Sequence, residues 1–319
     1  MIRFLCRRAL LGAVVMWVVA TLVFILYFVA PHDPAHLIAG KDATTQTLAD
    51  IEARLGLNRP IVDQYGSYLW RLLHGNLGYS YFNSEPVSTI VGQELPVTAS
   101  LAVGGAVLWL IMGVAAGVLA ATKPRSLADR AVTAFALFFY SMPTFLLGLL
   151  FLLVLFYRLH LLGIDIFPGA GYVGLSQSIG GWAQHMVLPW FTLALVTGAI
   201  YARLTRGSML DVLGEDYIRT ARAKGLSERR VIFRHGLRAA MTPVVTEFGI
   251  DLGTLLGGVI VTETVYGLPG LGQQIYNSIT RQDLPVIIAL VILASAFVVA
   301  ANIIVDAVYA LLDPRVRLT

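Results

Sequence analysis

The chain has 319 residues, of which 57% are hydrophobic and only 13% charged, against about 25% charged in ordinary soluble domains. That excludes a soluble globule, because several apolar stretches exceed the ~20 residues that cross a bilayer. The net charge of +4 is explained by where the cations sit along an integral membrane chain, not by a nucleic-acid partner.

Hydropathy predicts six transmembrane helices, over about 9–30, 97–121, 131–157, 187–204, 241–263 and 285–312. The expected fold class is therefore all-α and polytopic. The first apolar run follows Arg3, Arg7 and Arg8 but is too long for a signal peptide, and no A-x-A site follows at Phe28-Val29-Ala30-Pro31. It reads as a retained span. Cys6 is the sole cysteine, so an intrachain disulfide is impossible. Lys and Arg then set the orientation. With the N-terminus inside, Lys123, Arg125, Arg130 and the basic stretch Arg203 to Arg238 fall on the cytoplasmic side, and the other side carries few cations over longer loops. Both termini are expected in the cytoplasm.

Residues 1–96 form a first unit, the first span plus an extracytoplasmic segment, and residues 97–319 a five-helix core with a cytoplasmic loop at about 205–240. The His32–Pro96 stretch is too long for a plain connection. It predicts one helix near Leu48–Leu55 with Thr47 as N-cap. A second starts at Pro60 and stops near Gly75, with Ile61, Tyr65, Tyr68, Leu69, Leu72 and Leu73 at helical spacing. Gly113 and Gly117 form a small-xxx-small pair in the second span, and Pro143 is expected to kink the third.

Between the fourth and fifth spans, Asp216–Lys224 has helical propensity and small residues. Ala221, Ala223 and Gly225 would let another protein surface approach closely, and Gly225 is placed as a helix stop. A second short helix, Ser227–Arg238, leads into the fifth span with Ser227 as N-cap. Within that span Glu247 and Asp251 lie four apart, on one face that continues through Thr254, Gly258 and Thr262. A carboxylate at mid-bilayer costs about 2.5–3.5 kcal/mol on insertion scales, so these acids face a wet path, satisfy a neighbouring helix or sit at the cytoplasmic water boundary. The opposite face carries Gly249, Gly253 and Gly257, suited to tight packing. Asn302 and Asp306 in the sixth span read as packing groups.

The wording YIRTARAKG followed by IFRH, with HGNLGYS at 74–80, LTRGSMLDVL at 204–213, LLGGVIVTETVYGLPGLG at 255–272 and YALLDPRVR at 309–317, resembles the B-type permease subunit of ABC-type dipeptide, oligopeptide and nickel importers. The resemblance covers nearly the whole chain. Against the broader E-A-A…G loop motif of ABC permeases, Arg219-Thr220-Ala221 stands where E-A-A is expected and Gly225 is the glycine. His235 to Arg238 form the ending, and the acidic residue and the proline are missing. The resemblance implies a type I (MetI-like) permease fold and an ATPase-coupling role for Asp216, Tyr217, Arg219, Thr220, Ala221, Arg222, Ala223, Lys224, Gly225, Arg230, Arg234 and His235. It also implies a second homologous permease subunit, two ATPase subunits that bind ATP and Mg, an extracytoplasmic binding protein and a peptide cargo in a prokaryotic inner membrane. In that setting Glu247, Asp251, Thr254, Gly258 and Thr262 would line the translocation path. Glu263, Tyr266 and Pro269 would form the outer gate or the binding-protein docking site, with turn anchoring as the structural alternative.

The chain has no phosphate-loop motif, no H-E-x-x-H and no G-x-S-x-G. It is expected to be no enzyme and to bind no cofactor or metal itself. His32 and His36 have metal-ligand spacing, but Pro31 and Pro34 argue against a helix there. A nickel-chelate or glutathione importer is the alternative within the family, and an ion-coupled secondary transporter using Glu247 and Asp251 is the alternative outside it.

Overall fold

The computed structural model describes residues 2–26, 44–55, 58–80 and 82–312. His32, His36 and the 313–319 tail lie outside them. In chain order the α-helices longer than three residues are α1 (Ile2–Phe24), α2 (Thr45–Leu55), α3 (Ile61–Leu73), α4 (Val87–Thr122), α5 (Leu127–Tyr140), α6 (Thr144–Phe151), α7 (Ile179–Leu213), α8 (Asp216–Ala223), α9 (Arg238–Tyr266), α10 (Leu271–Arg281) and α11 (Leu284–Leu312). The π-helical stretch Leu152–Arg158 prolongs α6, and another, Val231–Leu237, runs into α9. A two-residue hairpin, Tyr79–Ser80 against Glu85–Pro86, is the only sheet among the described residues.

Among the described residues, five segments are long and apolar enough to cross a membrane: Cys6–Phe24, Val87–Thr122, Thr144–Leu161, Ile179–Leu213 and Leu284–Ile304. The 29-residue α9, which carries the acids, is a sixth long helix. Three expectations shift. The stretch 131–157 is not one kinked helix. Pro143 has no N–H and drives the preceding residue out of the α region, so α5 closes at Tyr140 and α6 begins afresh at Thr144. The helix near 48–55 starts at Thr45, with the Leu48 amide bonded to the Thr44 carbonyl, so Thr47 lies inside the first turn and is not its cap. Finally, α4 runs unbroken through 96–97, and residues 87–96 belong to it rather than to a loop.

The frame of the molecule is the α4–α7 pair. A Cβ on Gly105 would sit 3.0 Å from Leu193 Cδ1, on Gly113 2.4 Å from Tyr201 Cβ, and on Gly117 2.5 Å from Thr205 Cβ. The partner numbers rise in step, so the two helices run parallel with glycine at successive crossings. This is the close backbone approach that small residues permit in membranes, as Gly113 and Gly117 suggested. Trp109, Ala106, Ala194, Tyr201 and Val244 fill the centre between α4, α7 and α9. Helix α1 packs antiparallel on α11: Gly12 touches Val299, Arg8 pairs with Asp306 at 3.0 Å, and Phe24 and Ala20 meet Ile292. Asp306 thus has the packing role read for it. Helix α3 folds onto that end of α1, with Tyr65 against Phe24 at 5.1 Å and its hydroxyl 2.6 Å from Thr21 Oγ1.

Substituting Gly113 by valine should therefore lower the thermal unfolding midpoint of the detergent-purified chain, by an overpacking cost of about 1–3 kcal/mol. Gly92→Ala, where an added Cβ meets nothing within 4 Å, should leave it unchanged or raise it.

Candidate functional site: the α7–α9 hairpin and its basic tip

Helices α7 and α9 are joined by the basic stretch predicted from sequence, and its geometry is well defined. Helix α8 lays Ile218 and Ala221 onto Val231, with Leu213 and Leu226 closing the cluster. Gly225 ends the turn at φ +76, its amide on the Arg222 carbonyl at 2.9 Å. The Leu226 amide reaches back to the Ala221 carbonyl at 3.3 Å, as in a left-handed helix stop. Across that turn Arg222 forks onto Glu228, Nε to Oε2 at 3.2 Å and Nη2 to Oε1 at 2.7 Å, and this contact holds the Glu228 carboxyl below its usual range. Gly236 is buried against Leu213 and Met209, which docks the base of α9 on α7.

Of the residues predicted here, Asp216, Tyr217, Arg219, Thr220, Arg222, Ala223, Lys224, Gly225, Arg230 and Arg234 are exposed, and His235 is half-buried. Within this exposed set Arg219 pairs with Asp216 at 3.1 Å. Ala221 is a correction. It is only 8% exposed, because a short amphipathic helix needs its small residue on the inward face. Its size serves the loop's own packing and leaves no room there for an outside surface. Ser227 flanks the next turn with its carbonyl accepting the Arg230 and Val231 amides, but its hydroxyl makes no cap bond.

Beyond the tip, Asp251 accepts a hydrogen bond from the Tyr201 hydroxyl of α7 at 2.7 Å. Glu247, one turn nearer the tip, is half-buried, and its carboxylate has no hydrogen bond or ion pair among the described residues. Thr262 is buried. The side chains of Thr254 and residues 253, 257 and 258 lie outside those described. The stripe is thus partly satisfied by a neighbouring helix, and Tyr201 is a residue that sequence reasoning missed: nothing in the run Gly198–Ala202 marks a tyrosine as a carboxylate partner.

Glu263, Tyr266 and Pro269 also sort differently from expectation. Glu263 is fully buried and Tyr266 is 2% exposed, so neither can meet a docking partner; only Pro269 is exposed. Glu263 accepts from Thr98 Oγ1 at 2.6 Å and from the Gln273 amide at 2.9 Å. The Thr98 hydroxyl in turn accepts the Leu271 amide at 2.8 Å. The carboxylate therefore caps the N-terminus of α10, where free N–H groups and the helix dipole favour an anion. Gly270 is required because a Cβ there would lie 2.3 Å from Glu263 Oε1. Gly267, at φ +60, reverses the chain at the end of α9. Tyr266 shares a hydrogen bond with Thr192 of α7 at 2.7 Å. The turn-anchoring alternative describes this region.

A second unforeseen pair stands near the tip. Asp129, buried at the start of α5, takes a forked contact from Arg206 of α7, at 2.5 and 2.8 Å, and the Arg125 amide at 2.8 Å. These bonds, Arg206 first, hold its carboxyl at about 2. The S-x-x-D spacing of Ser126 and Asp129 was a readable start signal: Ser126 Oγ accepts the Asp129 amide at 3.2 Å.

A bundle of long apolar helices, two of them joined by a braced basic turn, is the architecture of a membrane-embedded subunit. The chain belongs to the family of binding-protein-dependent transport system inner membrane components, whose profile matches residues 113–318, and residues 1–102 match the N-terminal component profile. It is a permease subunit and not itself an ATPase. It is similar to a Sinorhizobium fredii (strain NBRC 101917 / NGR234) protein named "Probable peptide ABC transporter permease protein y4tP", 40% identical over 314 residues, 98% of this chain and 99% of the relative. It is also similar to "Dipeptide transport system permease protein DppB" of Escherichia coli (strain K12), 36% identical over 336 residues, 99% of each chain.

Two outcomes follow. Glu263→Ala orphans buried donors and should cost about 1–3 kcal/mol of stability per donor left unpaired, read as a lower unfolding midpoint; Glu263→Gln, which keeps one acceptor oxygen, should lose less. For Asp129 the bound state lowers the carboxyl, so its contribution is present above the ordinary carboxylate range and is lost as pH falls towards about 2. Unfolding midpoints of Asp129→Asn should match the parent at the acid end of that window and fall below it at neutral pH.

Proposed function

We propose that this chain is one of two paired permease subunits of an ABC importer for dipeptides or oligopeptides, in a prokaryotic inner membrane with both termini cytoplasmic. The observation that carries the reading is the exposed, cation-rich turn from Asp216 to Arg238, set between α7 and α9 by the Ile218–Val231 contact and the Arg222–Glu228 fork. The names of the relatives support peptide as cargo.

Two separate ATPase subunits bind ATP and Mg and supply the chemistry. Their closure moves the Asp216–Arg238 segment. Because α7 and α9 leave that segment directly, displacement at the tip reaches both helices. A rigid packed hairpin transmits such a shift as a body rather than absorbing it. An extracytoplasmic binding protein delivers peptide, and Glu247 with Asp251, Thr254, Gly258 and Thr262 lines the path, where a carboxylate of the stripe holds the cargo's α-ammonium transiently. Pro269 remains the accessible member of the outer-gate set.

Pull-down of the tagged chain from native membranes should bring down a second permease and an ATPase. Recovery of the chain alone or as a homo-oligomer, with uptake that follows an ion gradient, would replace this reading by a secondary transporter. Gly225→Arg puts a side chain on a left-handed backbone position, a strain of roughly 1–2 kcal/mol, and places bulk on the contacting face. It should insert normally and abolish uptake, whereas Gly225→Asn, which tolerates that conformation, should retain part of it. Glu247→Gln with Asp251→Asn should reduce the preference for free-amine over N-acetylated peptides; an unchanged preference sinks the path assignment.

A further inference from the structure

The Glu247–Asp251 pair looks symmetric in sequence, yet its surroundings are not. Tyr201 has no exposed surface, its ring lies 6.3 Å from that of Trp109, and Trp109 in turn lies 6.3 Å from Phe248. The phenol is therefore packed against Trp109, itself held by Phe248, before it meets Asp251. Its O–H occupies one carboxylate lone-pair site and orients the group towards α7. Glu247 has no such clamp.

Position along the hairpin matters equally. At ~1.5 Å of rise per residue, Tyr201 stands about 18 Å from the end of α7 at Leu213, and Asp251 about 20 Å from the start of α9 at Arg238. The bond is thus a rung across two antiparallel arms at nearly equal height above their shared tip. Below it the arms share an apolar cluster, with Met209 and Leu213 of one arm and Leu237 and Ala240 of the other. A directional bond between fixed groups resists sliding of the arms, which apolar packing by itself resists poorly.

We infer that Tyr201 is a positioning residue that commits Asp251 to bracing α7 against α9, and that Glu247 is the carboxylate of the pair that discriminates cargo with a free cationic amine. The inference rests on the stripe lining the path. The two acids then do different work: one makes the lever a single body, and the other sets charge selectivity.

The test uses the complete importer in proteoliposomes, with a dipeptide bearing a free α-ammonium and its N-acetylated counterpart, each saturating the binding protein. Uptake and ATP hydrolysis are measured together for Tyr201→Phe, Asp251→Asn and Glu247→Gln. Glu247→Gln should reduce the preference for the free amine at least tenfold. Tyr201→Phe should keep that preference but lower peptide moved per ATP; Asp251→Asn, whose amide oxygen can still accept from the phenol, should keep it with a smaller loss of coupling, and combining them should be no worse than Tyr201→Phe alone, since that substitution already removes the bond. Full coupling in Tyr201→Phe, or a loss of preference in Asp251→Asn as large as in Glu247→Gln, would overturn the division of labour. If Tyr201→Phe does not assemble, Asp251→Ala, which removes the acceptor, carries the same comparison. If no acid substitution, single or double, moves the preference, the path assignment fails instead, whatever Tyr201 does.

Discussion

The close parallel contact of α4 with α7 is the constraint on which the other features depend. Where glycine meets Tyr201 and Thr205 there is no space for even a methyl group. Without a hydrophobic driving force between helices in lipid, association relies on packing at such short range. That contact sets the azimuth of α7. With α7 so turned, Tyr201 presents its hydroxyl to α9, Thr192 presents its hydroxyl to Tyr266, and Arg206 reaches Asp129. One helix thereby carries polar links to three positions on two neighbours, and each link is specified by the same rotation.

The α7–α9 hairpin gains its rigidity at three levels. At the tip, an exposed but forked ion pair and a left-handed glycine shape a compact turn. Exposed ion pairs add little stability singly, and here the buried Ile218–Ala221–Val231 contact contributes the cohesion while the fork sets geometry. In the middle, apolar side chains close the gap between the arms. Higher up, a buried phenol meets a carboxylate. Buried polar bonds are directional and costly to leave unmade, so they select one register between helices that apolar contacts alone would allow to slide.

At the far end of α9, Glu263 joins three helices with one carboxylate and one threonine hydroxyl. A single anion there satisfies the start of α10, and the paired glycines exist to let the backbone come that near. The same residues that read as a gate from their order in the chain are, in space, a sealed junction. The short hairpin beside it is tied to the base of α11 by Ser80 and Asp283, whose carboxyl burial pushes upward.

Composition and local pattern were enough to determine the class: long apolar runs that must satisfy their own backbone hydrogen bonds become helices wherever they are placed in lipid. The basic tip, the stop at Gly225, the small-residue pair at Gly113 and Gly117 and the helix after Pro60 were legible because each signal lies within a turn or two of its effect. The break at Pro143 was half legible, since proline marks the site but not whether the helix bends or restarts. What only tertiary structure decided were the partners. Thr98 and Glu263 are 165 residues apart and Tyr201 and Asp251 are 50 apart, and no periodicity links positions so distant. A carboxylate's role follows from whichever group faces it, and that is fixed by how helices rotate against one another, a property of packing that no single segment encodes.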